Sequence, residues 1–395
     1  MKLTFDDSVE EFRQEFLAWL AENRPTDEEM AADPARSSAH VPDWCKSWIR
    51  REFDAGWLVP GWGPELGGRN AGPVETLVYM EELSKRGIPR HTNPQGLGII
   101  TPSILDYGTP EQIEQYAMPV LKGERSACLG MSEPGAGSDL AALSTRAVLD
   151  GDHFVINGQK VWTSGANYAD FCFLFCRTDA DAPKHKGISI VLLEMDTPGV
   201  TVRPLPEIVH EGTPDLNEVF LSDVLVPAEN LVGTMNNGWA MANGSLAHER
   251  GMVWLIGVLG LEAAMTRARR EAPAALARLG DLERAVATDR LVTSYIDSVA
   301  GRCLGYRGFA KLVRGGSAPE QALMKAYSSE AHQRLSAAVT EMLGDQGLDL
   351  AAHVTRRGGS WIEEYFETFA ATISAGSSEI QRNIIAEKVL GLPRG

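Results

Sequence analysis

Cysteine is scarce and unpaired in this sequence. The five cysteines stand at Cys45, Cys128, Cys172, Cys176 and Cys303. An odd number without framework spacing excludes a disulfide scaffold and fits reduced thiols in a cytoplasmic setting. Cys172 and Cys176 lie in the strand-like run Phe171-Cys-Phe-Leu-Phe-Cys176, where buried packing explains them better than a metal. Long apolar runs are missing too. The longest charge-free helical stretch, Gly251 to Leu261, is too short to cross a bilayer, so no membrane span is expected. The opening Met1-Lys-Leu-Thr-Phe-Asp-Asp7 is acidic and lacks a secretory hydrophobic core, so no targeting segment is expected. Positive charge is in deficit. A net charge of −16 repels nucleic acid and anionic membranes, and neither is expected as a partner.

What is present suits a large folded chain. At 395 residues, with 44% apolar and 23% charged, it can bury a sizeable core and divide into two or three domains. Phe12, Phe16, Leu17 and Leu20 recur at helical spacing, and helical segments follow around Trp44–Ala55, Val74–Lys85 and Gln112–Leu121. Residues 25–42, rich in Pro, Asp, Ser and Ala, read as a surface loop. From about Ser126 the texture turns to strands. Asp150-Gly151 and Asn157-Gly158 are hairpin turn signals, Gly187–Leu193 and Asn217–Leu221 are strand runs, and Pro198-Gly199 is a turn. After Gly238 helices return. Asp281–Val313 is one long helix stopped by Gly315-Gly316, and Ser317 with Pro319 opens the next, which ends at Gly344. Ser378 with Gln381 forms a capping box for a last helix ending near Leu390. The pattern predicts an α+β protein in three parts: an all-α domain over 1–125, a β-barrel or sandwich over 126–233, and a four-helix bundle over 234–395.

One stretch organises the rest. In Met131-Ser-Glu-Pro-Gly-Ala-Gly-Ser-Asp139, glycines and a proline make a backbone that can press against a ligand, flanked by the hydroxyls of Ser132 and Ser138. Trp162 and Ser164 then bring an apolar ring and another hydroxyl. The set suits a flat, heteroatom-edged ring with a phosphate tail. It equally suits an ordinary Gly/Pro loop before a hairpin.

The stretch resembles the flavin-binding signature of the acyl-CoA dehydrogenases. Further blocks in the family's order extend the likeness: Gly56-Trp-Leu-Val-Pro-Gly-Trp-Gly-Pro-Glu-Leu-Gly-Gly68, Asn157-Gly-Gln-Lys-Val-Trp-Thr-Ser164, Val219-Phe-Leu-Ser-Asp-Val-Leu-Val-Pro227 and Ser377-Ser-Glu-Ile-Gln-Arg-Asn-Ile-Ile-Ala-Glu387. The resemblance implies FAD, an acyl-CoA substrate oxidised to its trans-2-enoyl form, and electrons passed to an electron-transfer flavoprotein. It places Leu129, Met131 and Ser132 at the flavin's pyrimidine edge and Gly137 and Ser138 near phosphates or pantetheine. Trp162 would cover the ring and Ser164 bond at N5. Gly344, Gly347, Ser377 and Glu379 belong to the implied cofactor set, and Arg250 with Ser138 to the substrate set.

The sequence departs from the commonest pattern at the base. Many members carry glutamate in a Tyr-Glu-Gly-Thr run, but the matching run here is Ser374-Ala-Gly-Ser377, with Ala375 in that position. A methyl group takes no proton. A second arrangement, as in isovaleryl-CoA dehydrogenase-like and actinobacterial steroid-degrading members, puts the glutamate on the first bundle helix. His248-Glu-Arg-Gly251 matches it, making Glu249 the expected base. A carboxylate opening an apolar helix sits in poor solvent, which raises its pKa toward a working range. A salt-bridged helix cap is the alternative for a Glu-Arg pair, and His248 is the weaker candidate. Ala375 is left an oxyanion role through its backbone N–H. The family's Arg-x-x-Phe-Gly run survives only as Arg278 and Gly280, which resembles members that pair two different subunits and implies an α2β2 heterotetramer with a paralogue, a homotetramer being the alternative. A bulky, branched or steroid-derived acyl group is expected. A non-catalytic or flavin-sharing subunit, and an oxidase-type flavoprotein, are the alternatives.

Overall fold

The computed structural model describes residues 6–209, 212–242, 253–315, 320–348 and 359–393. The chain divides into two compact units, Met1–Glu249 and Arg250–Gly395.

The first unit opens with helices. Asp7–Asn23 buries Val9, Phe16 and Leu20, and Phe16 and Leu20 meet Trp48, Trp57, Tyr79 and Leu83 from Asp43–Asp54, the turn after it and Pro73–Lys85. The apolar stripe read from the sequence is thus the packed one. Residues 25–42 are not wholly loop. A short helix, Asp27–Ala32, forms because Thr26 and Glu29 cap it reciprocally, a local signal independent of any apolar stripe.

Seven strands make one mixed, curled sheet: β1 Ala127–Gly130, β2 Arg146–Asp150, β3 His153–Lys160, β4 Phe171–Arg177, β5 Ile188–Glu194, β6 Val200–Pro204 and β7 Asn217–Pro227. Their order is β1-β4-β2-β3-β7-β6, with β5 on β4, and β1 runs parallel to β4. β4 reads as an unbroken apolar run because it is buried on both faces. Phe171, Phe173 and Phe175 meet Ile100, Ile104, Tyr116 and Val120 on one side. Cys172, Leu174 and Cys176 meet Phe154, Ile156, Val191 and Val224 on the other. Asp150-Gly151 is the expected hairpin turn between β2 and β3.

Asn157-Gly158 is a correction. It lies inside β3 as a bulge, where the register against β7 shifts between Ile156 and Gly158. Gly158 has φ +157°, and a Cβ there would stand 2.7 Å from the Thr145 Cα. Closeness to the backbone of Thr145, just ahead of β2, not turn geometry, requires this glycine. Gly158→Ala is expected to cost about 2 kcal/mol, read as a lower midpoint in urea unfolding.

The second unit is helical: Val253–Leu276, Asp281–Val313, Glu320–Leu343 and Trp361–Ile373, then Ser378–Ile384 continued by wider turns over Ile385–Val389. Its core is alanine-rich, with Ala264, Ala268, Ala272, Ala287 and Ala331 around Leu261, Leu335, Val339 and Trp361. Small residues let these helices approach closely. Arg267 ties the bundle by reaching Glu364 at 3.0 Å and the Gly359 carbonyl at 2.8 Å while lying over the Trp361 ring. Leu282, Val286, Ile296 and Val299 remain exposed along Asp281–Val313. Ser317 and Pro319 lie outside the described residues. No helix among the described residues is long and apolar enough to cross a membrane.

Candidate functional site

In the first unit the site is built where β1 and β3 end. From Gly130 the chain enters a tight turn closed by Glu133 N–H to the Ala136 carbonyl (2.9 Å) and the reverse bond (3.0 Å). Gly135 and Gly137 have no heavy atom within 4 Å of where a Cβ would stand. Nothing in the protein demands glycine there, so the bare backbone faces open space. Leu129, Met131 and Ser132 are half-buried, and Gly137 and Ser138 exposed.

Trp162 stands beside this turn. It is 60% exposed, and its φ is +60°. A bulky residue in the left-handed region costs on the order of 1–2 kcal/mol and persists only where its surroundings impose it. Here they do. Val161 N–H donates to the Ser132 carbonyl at 2.9 Å, Thr163 N–H to the Asn217 carbonyl at 3.0 Å, and Asn217 Nδ2 back to the Thr163 carbonyl at 3.0 Å. Gly165 N–H is held by the Asp215 carbonyl at 2.8 Å. The Met131–Asp139 turn and the Trp162–Ser164 segment are therefore one assembly, with an indole plate displayed next to an open glycine backbone. Ser164 is half-buried in the same segment.

Beneath it lies a buried ion pair that spacing alone did not single out. Lys160 Nζ reaches Glu133 Oε1 at 2.8 Å and the Met131 carbonyl at 3.1 Å. Glu133 also accepts from Ser144 N–H at 2.6 Å, Ser144 Oγ at 2.8 Å and Thr145 N–H at 2.8 Å. Burial acts to raise the Glu133 pKa, but the Lys160 charge and these hydrogen bonds outweigh it and hold the carboxyl down at about 2. Desolvation pulls the Lys160 ammonium below the ordinary lysine value, against the attraction of Glu133.

In the second unit, the turn between Trp361–Ile373 and Ser378–Ile384 carries Ala375. It too is left-handed, at φ +51°, followed by Gly376 at +84°. Two side chains fix it: Gln381 Nε2 donates to the Ala375 carbonyl at 3.0 Å, and Lys325 Nζ to the Gly376 carbonyl at 2.7 Å. Ser377, not Ser378, is the N-cap, accepting from Ile380 N–H at 3.4 Å. No capping box forms, because Gln381 is committed to Ala375. Glu379 is exposed in the first turn, its carboxyl lowered by its own backbone N–H and the Ser377 hydroxyl.

Gly344 ends Glu320–Leu343 at φ +59° with open space around it. A Cβ at Gly347 would meet the Thr340 carbonyl at 2.5 Å, so packing alone accounts for that glycine. Arg278, from the run that departs from the family pattern, reaches this turn, its Nη1 donating to Gln346 Oε1 at 2.6 Å. His248, Glu249 and Arg250 lie outside the described residues.

A curled sheet that displays an exposed indole beside a turn of bare backbone suits a flat ring cofactor. Comparison with known proteins gives the class its name. The N-terminal, middle and C-terminal domain models of acyl-CoA dehydrogenase match residues 6–124, 128–224 and 236–390, and the chain belongs to that family. Acyl-CoA dehydrogenase IpdE1 of Mycobacterium tuberculosis is 35% identical over 98% of each chain. Two solved assemblies are similar over 100% of both chains: the Tcur3481-Tcur3483 steroid ACAD (31% identical, TM-score 0.80) and the ChsE4-ChsE5 complex from Mycobacterium tuberculosis (28%, TM-score 0.80). The chain is an oxidoreductase and its cofactor is FAD. The residues fit that group: the exposed Trp162 plate suits an isoalloxazine face, and the open Gly135–Gly137 backbone admits an approaching phosphate chain.

Proposed function

We propose that this chain dehydrogenates the α,β-bond of a bulky or ring-bearing CoA thioester, with steroid-derived acyl groups first among the candidates. Bound FAD supplies the hydride acceptor. The chain's own residues do the rest. Glu249 takes the proton from the carbon beside the thioester carbonyl. The Ala375 N–H meets the charge that develops on the thioester oxygen, a donor role that needs no side chain. Trp162 covers the flavin and excludes water, Leu129, Met131, Ser132 and Ser164 engage its polar edge, and Gly137 and Ser138 line the phosphate or pantetheine path. Ser377, Glu379, Gly344 and Gly347 are assigned to the rest of the cofactor, and Arg250 to the substrate.

The observation that carries this is the Ala375 turn. It is rigidly held by Gln381 and Lys325, yet the residue it displays is a methyl, so the proton acceptor has to come from elsewhere and space is left for a larger acyl group. The names of the similar proteins above, steroid ACADs among them, support the substrate class. Their two-component titles, with the exposed stripe Leu282, Val286, Ile296 and Val299, support assembly with a paralogous chain as α2β2; a homotetramer is the other form. Electron-transfer flavoprotein is the proposed acceptor.

Anaerobic mixing with a panel of CoA esters tests the assignment. Steroid side-chain CoA esters are expected to bleach the flavin fully, and short straight-chain esters weakly. Bleaching only by short esters would refute the substrate class, and none by any ester would refute the reaction. Rapid reoxidation of the product-bound reduced protein by oxygen would instead identify an oxidase.

A further inference from the structure

The ion pair under the cofactor loop does more than fill space. Lys160 is the last residue of β3, its side chain 1% exposed, and Glu133 follows β1 with 5% exposed. Removing two charges from water is costly, and an apolar pair of similar volume would hold these strands together at least as well. What an apolar pair could not do is bind the Met131 carbonyl. Lys160 Nζ grips that oxygen from the interior at 3.1 Å. Across a trans peptide the C=O of Met131 and the N–H of Ser132 point in opposite directions. The carbonyl drawn inward therefore turns the Ser132 N–H outward, on the side of the exposed turn. A carbonyl that accepts from an ammonium polarises its own peptide, which makes that N–H a stronger donor. Glu133, held by Ser144 and Thr145 ahead of β2, keeps the ammonium in place, and Val161, the next residue, holds the Ser132 carbonyl at 2.9 Å.

We infer that Lys160 is a positioning residue for the flavin: through the Met131 carbonyl it aims and strengthens the Ser132 N–H as a donor to the ring's polar edge. Charge on that edge grows when the ring is reduced, so the donor favours reduced over oxidised FAD. The inference rests on the ring lying at Met131–Ser164 but not on any acyl-CoA chemistry.

The test uses purified holoprotein and FAD alone. Lys160→Met is expected to weaken FAD binding to apoprotein about tenfold or more, and to weaken reduced FAD about tenfold further, which lowers the two-electron potential by about 30 mV. Lys160→Arg, which keeps the charge, is expected to restore most of the potential. Ser144→Ala removes one bond to Glu133 from an exposed position and supplies a variant that folds if Lys160→Met does not; it is expected to weaken FAD about threefold. A purely structural pair would lower the melting temperature in Lys160→Met and leave the potential and visible spectrum of its bound flavin unchanged, and that result would overturn the inference. Trp162→Ala separates the two claims. If it leaves FAD affinity untouched, the ring does not lie at this edge; if it weakens FAD while Lys160→Met does not, only the role given to Lys160 fails.

Discussion

Glu249→Gln is expected to bind FAD and a CoA thioester normally and to bleach the flavin about a thousandfold more slowly than the parent protein, the contribution typical of a positioned general base. The amide has the carboxylate's size and polarity but accepts no proton. Two features make the effect large. Residue 375, where the commonest family pattern places the base, is alanine in a turn pinned by Gln381 and Lys325, and the side chain at that position takes no proton. Glu249 itself is followed by Arg250 and then by an apolar stretch free of charge through Leu261, the sequence context on which its proposed role as the base rests. Bleaching by the variant at the parental rate would remove Glu249 from the chemistry. Slow bleaching combined with lost flavin would point to a structural defect instead.

The second large effect concerns stability. Lys160→Met leaves Glu133 buried without its counter-charge, which costs 3–5 kcal/mol when nothing else compensates. Glu133 keeps its bonds from Ser144 and Thr145, so about 3 kcal/mol is expected at neutral pH, read from urea unfolding. The pH dependence has a definite sign. A carboxyl whose folded pKa is held down at about 2 contributes stability that is fully present above the ordinary carboxylate range and is lost as pH falls through that range toward the folded value. In Lys160→Met the carboxyl protonates at higher pH and escapes the burial penalty. The gap between parent and variant is therefore expected to narrow as the medium is acidified below the ordinary carboxylate pKa. A gap independent of pH over that window would show that the loss is one of packing, not charge.

Much of the architecture was legible because its signals are local. Asp281–Val313 has the bounds its pattern gives, and Phe171–Cys176 is the doubly buried strand its unbroken apolar run suggests. The Met131–Asp139 turn was legible as a motif, and Trp162 as a displayed ring. Other features depend on partners distant in sequence. Asn157-Gly158 carries the strongest short turn signal there is, but Thr145 lies against Gly158 and makes it a bulge. Gln381 has the spacing of a capping residue, but the Ala375 carbonyl claims it and the cap falls to Ser377. Thr26 and Glu29 cap a helix in a segment whose Pro, Asp, Ser and Ala content reads as loop. Glu133 and Lys160 each sit inside a recognised block, but nothing in either block says that their charges meet underground. Lys160, the lone charge of Asn157–Ser164, and Glu133, which shares Met131–Asp139 with Asp139, were the available sign. No propensity scale weighs such a pair, because its worth depends on a contact between strand ends.

Proton removal at the substrate's α-carbon is the step proposed for Glu249. A CoA thioester whose β-carbon bears no hydrogen cannot complete the oxidation, so its α-protons report that step alone. Incubated in deuterium oxide with the FAD-loaded protein and followed by mass spectrometry, it is predicted to take up deuterium with the parent enzyme and to stay unlabelled with Glu249→Gln. Equal labelling by both proteins would contradict the assignment of the base.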